Sequence, residues 1–391
     1  MIRLLPFDYA VRNLGRSTAR LVLSVLGSGL VVLLLLAAGG FVHGMDHSLR
    51  STGGRDNVIL LGAGSEESIE RSEVEAGVSS LIAAAVPGIR ARAGVAYVSP
   101  EVHVQLPITL DPEQEKGPLV LVRGVTPAAL LVHGSVQLAD GRLPSSGADE
   151  VIVGSMTATK MGVPAADLAL GRQLIIEKRP WTIVGRLAAP GTVFDAEVWM
   201  PLTDLKEATK RTSDSCVVLT LDSERAEFAD VDMFTKTRVD LELAAMSEPA
   251  YYAKLSAFFA PIRVLAWVTA GLVALGGLFG GLNTMYAAFA ARVRELGTLQ
   301  ACGFRRVAIV WSLVQESTLA TACGALLASA AGVFLLDGLA VRFSMGAFGL
   351  RVDSLVLGVG LSAGLILGLV GALPPAWRCL RLAIPVALKA V

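Results

Sequence analysis

The chain has 391 residues, 53% hydrophobic and 17% charged, with a mean hydropathy of +0.60. That is too apolar for an ordinary soluble enzyme and too charged for a chain that is membrane throughout. The formal net charge of +0 hides a sharp sorting: residues 44–261 hold 20 Lys+Arg against 29 Asp+Glu, while the short segments around the apolar runs are basic.

Residues 1–20 read as an amphipathic segment on the inner membrane surface, with Leu4, Phe7, Val11 and Leu14 at helical spacing. A first apolar run follows at 21–43. It is longer than the core of a secretory signal, and further apolar runs come later, so it reads as an anchor and not a cleaved leader. Residues 44–261 have the composition of a globular domain. Strands are expected at 58–61, 95–110, 119–125, 150–153, 173–177, 181–185, 198–200 and 217–221, and helical stretches at 74–86, 228–236 and 248–259. A mixed α+β domain is the economical description. Apolar runs then recur at 262–291, 307–336 and 354–374, each at or above the roughly 20 residues that cross a bilayer core.

The expected fold is therefore a membrane protein with four transmembrane helices in a 1+3 layout. A large α+β extracytoplasmic domain is inserted between helices 1 and 2, and helices 1 and 2 are expected to continue past the membrane as a stalk, at 42–50 and 248–262. Residues 1–20, the loop 292–306 and the tail 375–391 together hold 11 Lys+Arg, with only Asp8 and Glu295 as acids. Basic short loops mark the cytoplasmic side, which puts both termini inside and the domain outside. The outer loop 337–353 carries Arg342, Arg351 and Asp353, read as solvated charges.

The second run contains GGLFGG. Gly276 with Gly280, and Gly277 with Gly281, form overlapping small-xxx-small pairs that allow close helix packing, including across a dimer axis. Glu316 is the lone acid of the third run and reads either as an ion-paired group near the inner surface or as part of a coupling device. The four cysteines make no disulfide framework, because only Cys216 lies in the outer domain. Cys302, Cys323 and Cys379 read as small buried hydrophobes. His43 and His47 have i,i+4 spacing but no third metal ligand, and read as exposed polar residues at a membrane exit. There is no G-x-x-x-x-G-K-[ST], H-E-x-x-H or G-x-S-x-G, and His47, His103 and His133 stand beside no nucleophile motif. No catalytic constellation or cofactor site is expected in this chain.

The segment 292–303, RVRELGTLQACG, resembles the FtsX-like/MacB-type permeases of ABC transporters, whose pattern here is R-x-x-E-I-G-x-L-R-A-x-G. Arg292, Glu295, Gly297, Leu299, Ala301 and Gly303 match; Leu296 and Gln300 replace the usual Ile and Arg. Asn283, Glu316, the start Ala10-Val11-Arg12-Asn13-Leu14 and the ending from Leu373-Pro374-Pro375 to Pro385-Val386-Ala387-Leu388 are similar to the same family. So are Gly141-Arg142, 150–154, Gly171 and 181–185 in the outer domain.

The resemblance implies a permease of the bacterial inner membrane that pairs with a second copy or a paralogue and recruits separate cytoplasmic ABC ATPases. Those partners would bind ATP and Mg. It implies that 292–306 is a coupling helix, with Arg292, Arg294, Glu295, Leu296, Gly297, Leu299, Gly303, Arg305 and Arg306 at the ATPase contact. It further implies mechanotransmission to the outer domain for efflux or lipoprotein release, with a periplasmic adaptor and membrane lipid as further partners and no nucleic acid. The alternative is a membrane regulator of an extracytoplasmic cell-wall hydrolase.

Overall fold

A computed structural model describes residues 5–114, 116–343 and 346–388; Arg3, Leu4 and Lys389 of the basic segments lie outside them. The chain divides into two units. One comprises Met1–His43, Pro261–Leu339 and Leu350–Val391; the other comprises Gly44–Ala260 and Ala340–Gly349.

Among the described residues, four helices are long and apolar enough to cross a membrane: Thr18–Thr52, Ala260–Ala290, Arg306–Leu335 and Ser354–Leu380. The first has 35 residues. At about 1.5 Å per residue it exceeds a bilayer core of about 30 Å, so it continues past the membrane as the sequence suggested. The second approach is broken: helix Glu248–Phe258 ends and Ala260–Ala290 begins, with Phe259 between them. Pro261 supplies no N–H and disfavours helical backbone in the residue before it. The fourth helix runs through Pro374 and Pro375 to Leu380, beyond the expected end at 374. Ala376 and Leu380 are buried in one cluster with Phe289, Leu296, Ile309 and Leu313, and that packing carries the helix onward.

In this unit Val32 and Leu36 meet Ala325, Ala328 and Val356. The close approach comes from Gly360, Gly364 and Gly368, a small-xxx-small row that the sequence reading passed over. A Cβ on Gly364 would lie 2.5 Å from that of Ala325, and one on Gly360 would lie 2.9 Å from Leu36. Of the glycines singled out in the second span, Gly277 closes on Val31, while a Cβ on Gly276, Gly280 or Gly281 would meet no atom within 4 Å among the described residues. Cys302 and Cys323 are exposed, not buried as expected. Asp353 caps the fourth helix through the Val356 N–H at 2.9 Å and pairs with His43 at 3.0 Å, so neither is the free surface group expected.

The strands of the large unit are, in chain order, β1 (Asn57–Gly62), β2 (Ala91–Arg92), β3 (Val95–Ala96), β4 (Val98–Thr109), β5 (Leu119–Val125), β6 (Gln137–Gly141) and β7 (Glu150–Gly154). They continue with β8 (Gln173–Ile176), β9 (Arg179–Ala188), β10 (Val198–Pro201), β11 (Cys216–Thr220), β12 (Leu243–Ser247), β13 (Ala340–Phe343) and β14 (Gly346–Gly349). Ten of them form one sheet in the order β12-β1-β11-β4-β5-β10-β7-β9-β6, with β8 paired to β4 and β9. The expected strands are all present, and β2, β6, β12, β13 and β14 are additional. The helix expected at 74–86 starts only at Val78, because Gly77 has φ +100. The outer loop contains the hairpin β13-β14, which belongs to this unit: the Lys160 ammonium donates to the Phe343 carbonyl at 2.7 Å, and the Phe259 and Phe343 rings lie 4.8 Å apart.

Strand β4 joins the two halves of the sheet. Its first residues pair with β11 and its later ones with β5 and β8. Its side chains alternate. Val102, Leu106 and Ile108 enter a core with Val120, Val122 and Trp181. Glu101 and His103 point the other way.

Candidate functional site

The segment 292–306 is built as a stopped helix, Val293–Ala301. Its end is a left-handed cap: Gly303 has φ +88, its N–H reaches the Gln300 carbonyl at 3.1 Å, and the Phe304 N–H reaches the Leu299 carbonyl at 3.2 Å. This pair of bonds is the Schellman arrangement, and Phe304 and Leu299 join the same apolar cluster as its hydrophobic contact. Gly303 therefore shapes the segment. Only glycine adopts that φ without strain.

The helix turns one face inward. Val293 and Leu296 are 8% and 1% exposed, and a Cβ on Gly297 would lie 2.9 Å from that of Ala387 in the short helix Ile384–Leu388. Arg292 also points in. Its Nη1 donates to both Glu316 oxygens, at 3.0 and 3.2 Å, and its Nε donates to Glu295 Oε2 at 3.0 Å. Arg20 forms a short contact to the same Glu316. Glu295 Oε1 accepts from the Tyr9 hydroxyl at 2.8 Å and from Arg16 at 3.1 Å.

Burial opposes ionisation of Glu295, but hydrogen bonds from Arg292 and Tyr9 outweigh it and hold the carboxyl below its usual range. Burial pushes the Tyr9 hydroxyl up, so it remains a neutral donor. For Arg292 the neighbouring carboxylates overcome burial and keep the guanidinium charged.

Of the nine residues assigned to this site, Arg292, Glu295, Leu296, Gly297 and Leu299 are wholly or partly covered. Arg294, Gly303, Arg305 and Arg306 are exposed. The first group positions the helix and the second faces outward. Tyr9, Arg16 and Arg20 were not among the predicted residues. The only trace of them in the sequence is Glu316, an acid in an apolar run that demands a cation.

The large unit holds a second buried constellation, assembled by register. On β4, Glu101 lies opposite Cys216 and His103 opposite Arg123, and Arg123 is also paired with Trp199 of β10. Arg123 donates to Glu101 at 2.6 Å and, with two nitrogens, to Glu197 at 2.7 and 2.8 Å. His133 bonds Glu101 at 2.7 Å and approaches Glu248 at 3.7 Å. Glu248 opens helix Glu248–Phe258 and accepts from the Gly54 N–H at 2.7 Å and from Asn57 at 2.8 Å.

Burial resists the charge on Glu101, but His133 and Arg123 overcome it and depress its carboxyl strongly. Against the same resistance Glu101 raises His133. Burial, reinforced by Arg123, lowers His103. Burial alone dominates Glu248, which is raised.

The ligand atoms of Glu101, His103 and Cys216 lie within 4.8 Å of one another. That position is already served by the Arg123 guanidinium, 2.6 Å from Glu101 and 2.8 Å from His103, and a metal cation there would face a fixed positive charge. Burial raises the Cys216 thiol strongly and so disfavours its thiolate. The constellation ties the strands of the sheet together.

Residues 21–231 match the family model for the MacB-like periplasmic core domain, and residues 267–384 match the FtsX-like permease C-terminal model. The chain belongs to the FtsX/MacB-type permeases of ABC transporters. It is the membrane subunit of such a transporter, a multi-pass protein of the inner membrane whose family works with ABC ATPase partners.

Two solved structures are similar to the outer domain. The crystal structure of the periplasmic region of MacB from Actinobacillus actinomycetemcomitans covers 52% of this chain and 94% of its own, at 11% identity and a TM-score of 0.39. That of the extracellular domain of the noncanonic ABC-type transporter YknZ from Gram-positive bacteria covers 49% and 99%, at 16% identity and a TM-score of 0.36. No curated protein matches the chain by sequence.

Proposed function

We propose that this permease passes ATP-driven motion from separate ATPase subunits to its outer domain, through the segment 292–306. One observation carries the reading. The segment presents Arg294, Arg305 and Arg306 outward, while its opposite face is held by Leu296 and by Arg292 on Glu316. Exposed guanidinium groups suit carboxylates and backbone carbonyls of a partner. The anchored face suits transmission, since a push on the arginines is delivered to the third span and not absorbed in a loose loop.

In this reading both termini and the 292–306 segment are cytoplasmic, the 44–261 domain is extracytoplasmic, and ATP and Mg stay with the partner. Two copies, or this chain and a paralogue, form the working unit, and the outer domain moves an exported or extracted substrate. The test is co-purification with the ATPase. Reversing Arg294, Arg305 and Arg306 to Glu should cut ATPase retention at least tenfold without lowering the unfolding temperature of the permease. Full retention by the triple variant would refute the assignment.

A further inference from the structure

We propose that the N-terminal helix Phe7–Arg16 is a clamp on the coupling segment, and that Tyr9 and Arg16 are positioning residues for ATPase coupling. This rests on the coupling role of 292–306 proposed above.

The helical spacing of Leu4, Phe7, Val11 and Leu14 suits this segment to the inner membrane surface. Its two sides do different things. Phe7 and Val11 are 52% and 47% exposed, an apolar edge suited to lipid. The other side is docked: Ala10 and Asn13 are buried, and the helix packs against Arg306–Leu335. From that side Tyr9 and Arg16 reach Glu295, 286 and 279 positions away in the chain. Glu295 Oε1 is taken by these two donors and Oε2 by Arg292. The acid of the matched permease pattern is thus spent inside the chain.

The helix has 10 residues, below the length at which an isolated helix is stable in water, so docking also maintains it. The linkage extends further. Arg292, which shares Glu295 with Tyr9 and Arg16, also bonds Glu316, and Glu316 is contacted by Arg20 at the start of the first span. One chain of charged hydrogen bonds therefore runs from the N-terminal helix to the coupling helix, and through Arg292 and Glu316 to the third and first spans. A partner that displaces Arg294 and Arg306 must move this block together. Without the clamp, the coupling helix turns on its apolar side and less of the displacement reaches the spans.

The experiment uses the full chain with the ATPase that copurifies with it, reconstituted in lipid nanodiscs. ATP turnover is compared for wild type, Tyr9→Phe, Arg16→Gln, Arg16→Lys, Glu295→Gln, Tyr9→Phe/Glu295→Gln and the surface-arginine reversal. Tyr9→Phe and Arg16→Gln should lower kcat of the complex by roughly three- to tenfold, the scale of one ordinary lost hydrogen bond. KM for ATP and ATPase retention should stay unchanged, Arg16→Lys should restore turnover, and Tyr9→Phe should add nothing to Glu295→Gln.

Full kcat in Tyr9→Phe and Arg16→Gln, with retention lost on arginine reversal, overturns the clamp and leaves the coupling reading standing. Unchanged retention and kcat on arginine reversal overturns both. Tyr9→Phe keeps the ring and its packing. A lower unfolding temperature with normal kcat per folded complex would make Tyr9 merely structural and would also overturn the clamp.

Discussion

Arg292 and Glu316 are 24 positions apart and meet through a two-pronged ion pair, with Nη1 3.0 and 3.2 Å from the two carboxylate oxygens. One residue precedes helix Val293–Ala301 and the other lies in helix Arg306–Leu335, so the pair fixes how the two meet. Glu316 answers both Arg292 and Arg20, whose side chains are 15% and 14% exposed.

Removing that shared acid leaves two covered cations without a partner. Glu316→Ala should destabilise the membrane unit by about 3–5 kcal/mol, the usual cost of breaking a buried pair from one side. Glu316→Gln should cost less, because its amide oxygen still accepts one bond. Thermal unfolding in detergent reads both, and an unaltered Tm for the alanine variant contradicts the pairing.

Gly303→Ala meets no steric neighbour but must adopt a left-handed φ. The expected cost is about 1 kcal/mol, taken locally. Hydrogen exchange should accelerate at the Cys302, Gly303 and Phe304 amides and stay unchanged in the outer domain. Asn at this position should restore part of the protection, since Asn tolerates that conformation.

His133 sets a pH response for the outer domain. Its folded value lies above the ordinary value of about 6.5, so its contribution is complete below 6.5 and is lost as pH rises through the folded value. Glu248, raised by burial, has the same sign. His103 is depressed and works the other way, but its effect is complete once pH reaches 6.5. Between pH 6.5 and 9 the Tm of the full chain should therefore fall, and His133→Gln should flatten that fall. A wild-type Tm that climbs over this range would show the sign to be wrong.

The second span offers a contrast between neighbouring glycines. Gly277→Ala should force the first and second spans apart, because the added methyl meets Val31. Gly276→Ala and Gly280→Ala should leave the single chain unharmed. Only 6% of an 18-residue apolar stretch of this span is buried within the chain, against 39% for the third, so substitution at Gly276 or Gly280 should weaken association with a second copy. Cross-linking in membranes reads the association, and thermal unfolding reads the fold.

The amino-acid sequence by itself determined the parts whose signals are local or additive. Four apolar runs, the sorting of charge among the segments between them, alternating strands such as β4 and the glycine that stops helix Val293–Ala301 can each be read from a few consecutive residues. The tertiary structure decided which of those residues meet. Nothing in the spacing of Tyr9, Arg16 and Glu295, or of Glu101, Arg123 and His133, says that they converge, because an ion pair has no sequence period and its partners are set by how helices and strands pack. For the same reason Gly360 and Gly364 proved to be packing glycines, while a Cβ on Gly276, Gly280 or Gly281 would meet no atom within 4 Å among the described residues: a small residue marks where a helix can be approached, and only its neighbours decide whether it is. The partial covering of Glu295 and Arg292 likewise belongs to the fold, and it leaves their exposed neighbours Arg294, Arg305 and Arg306 as the surface proposed to receive a partner.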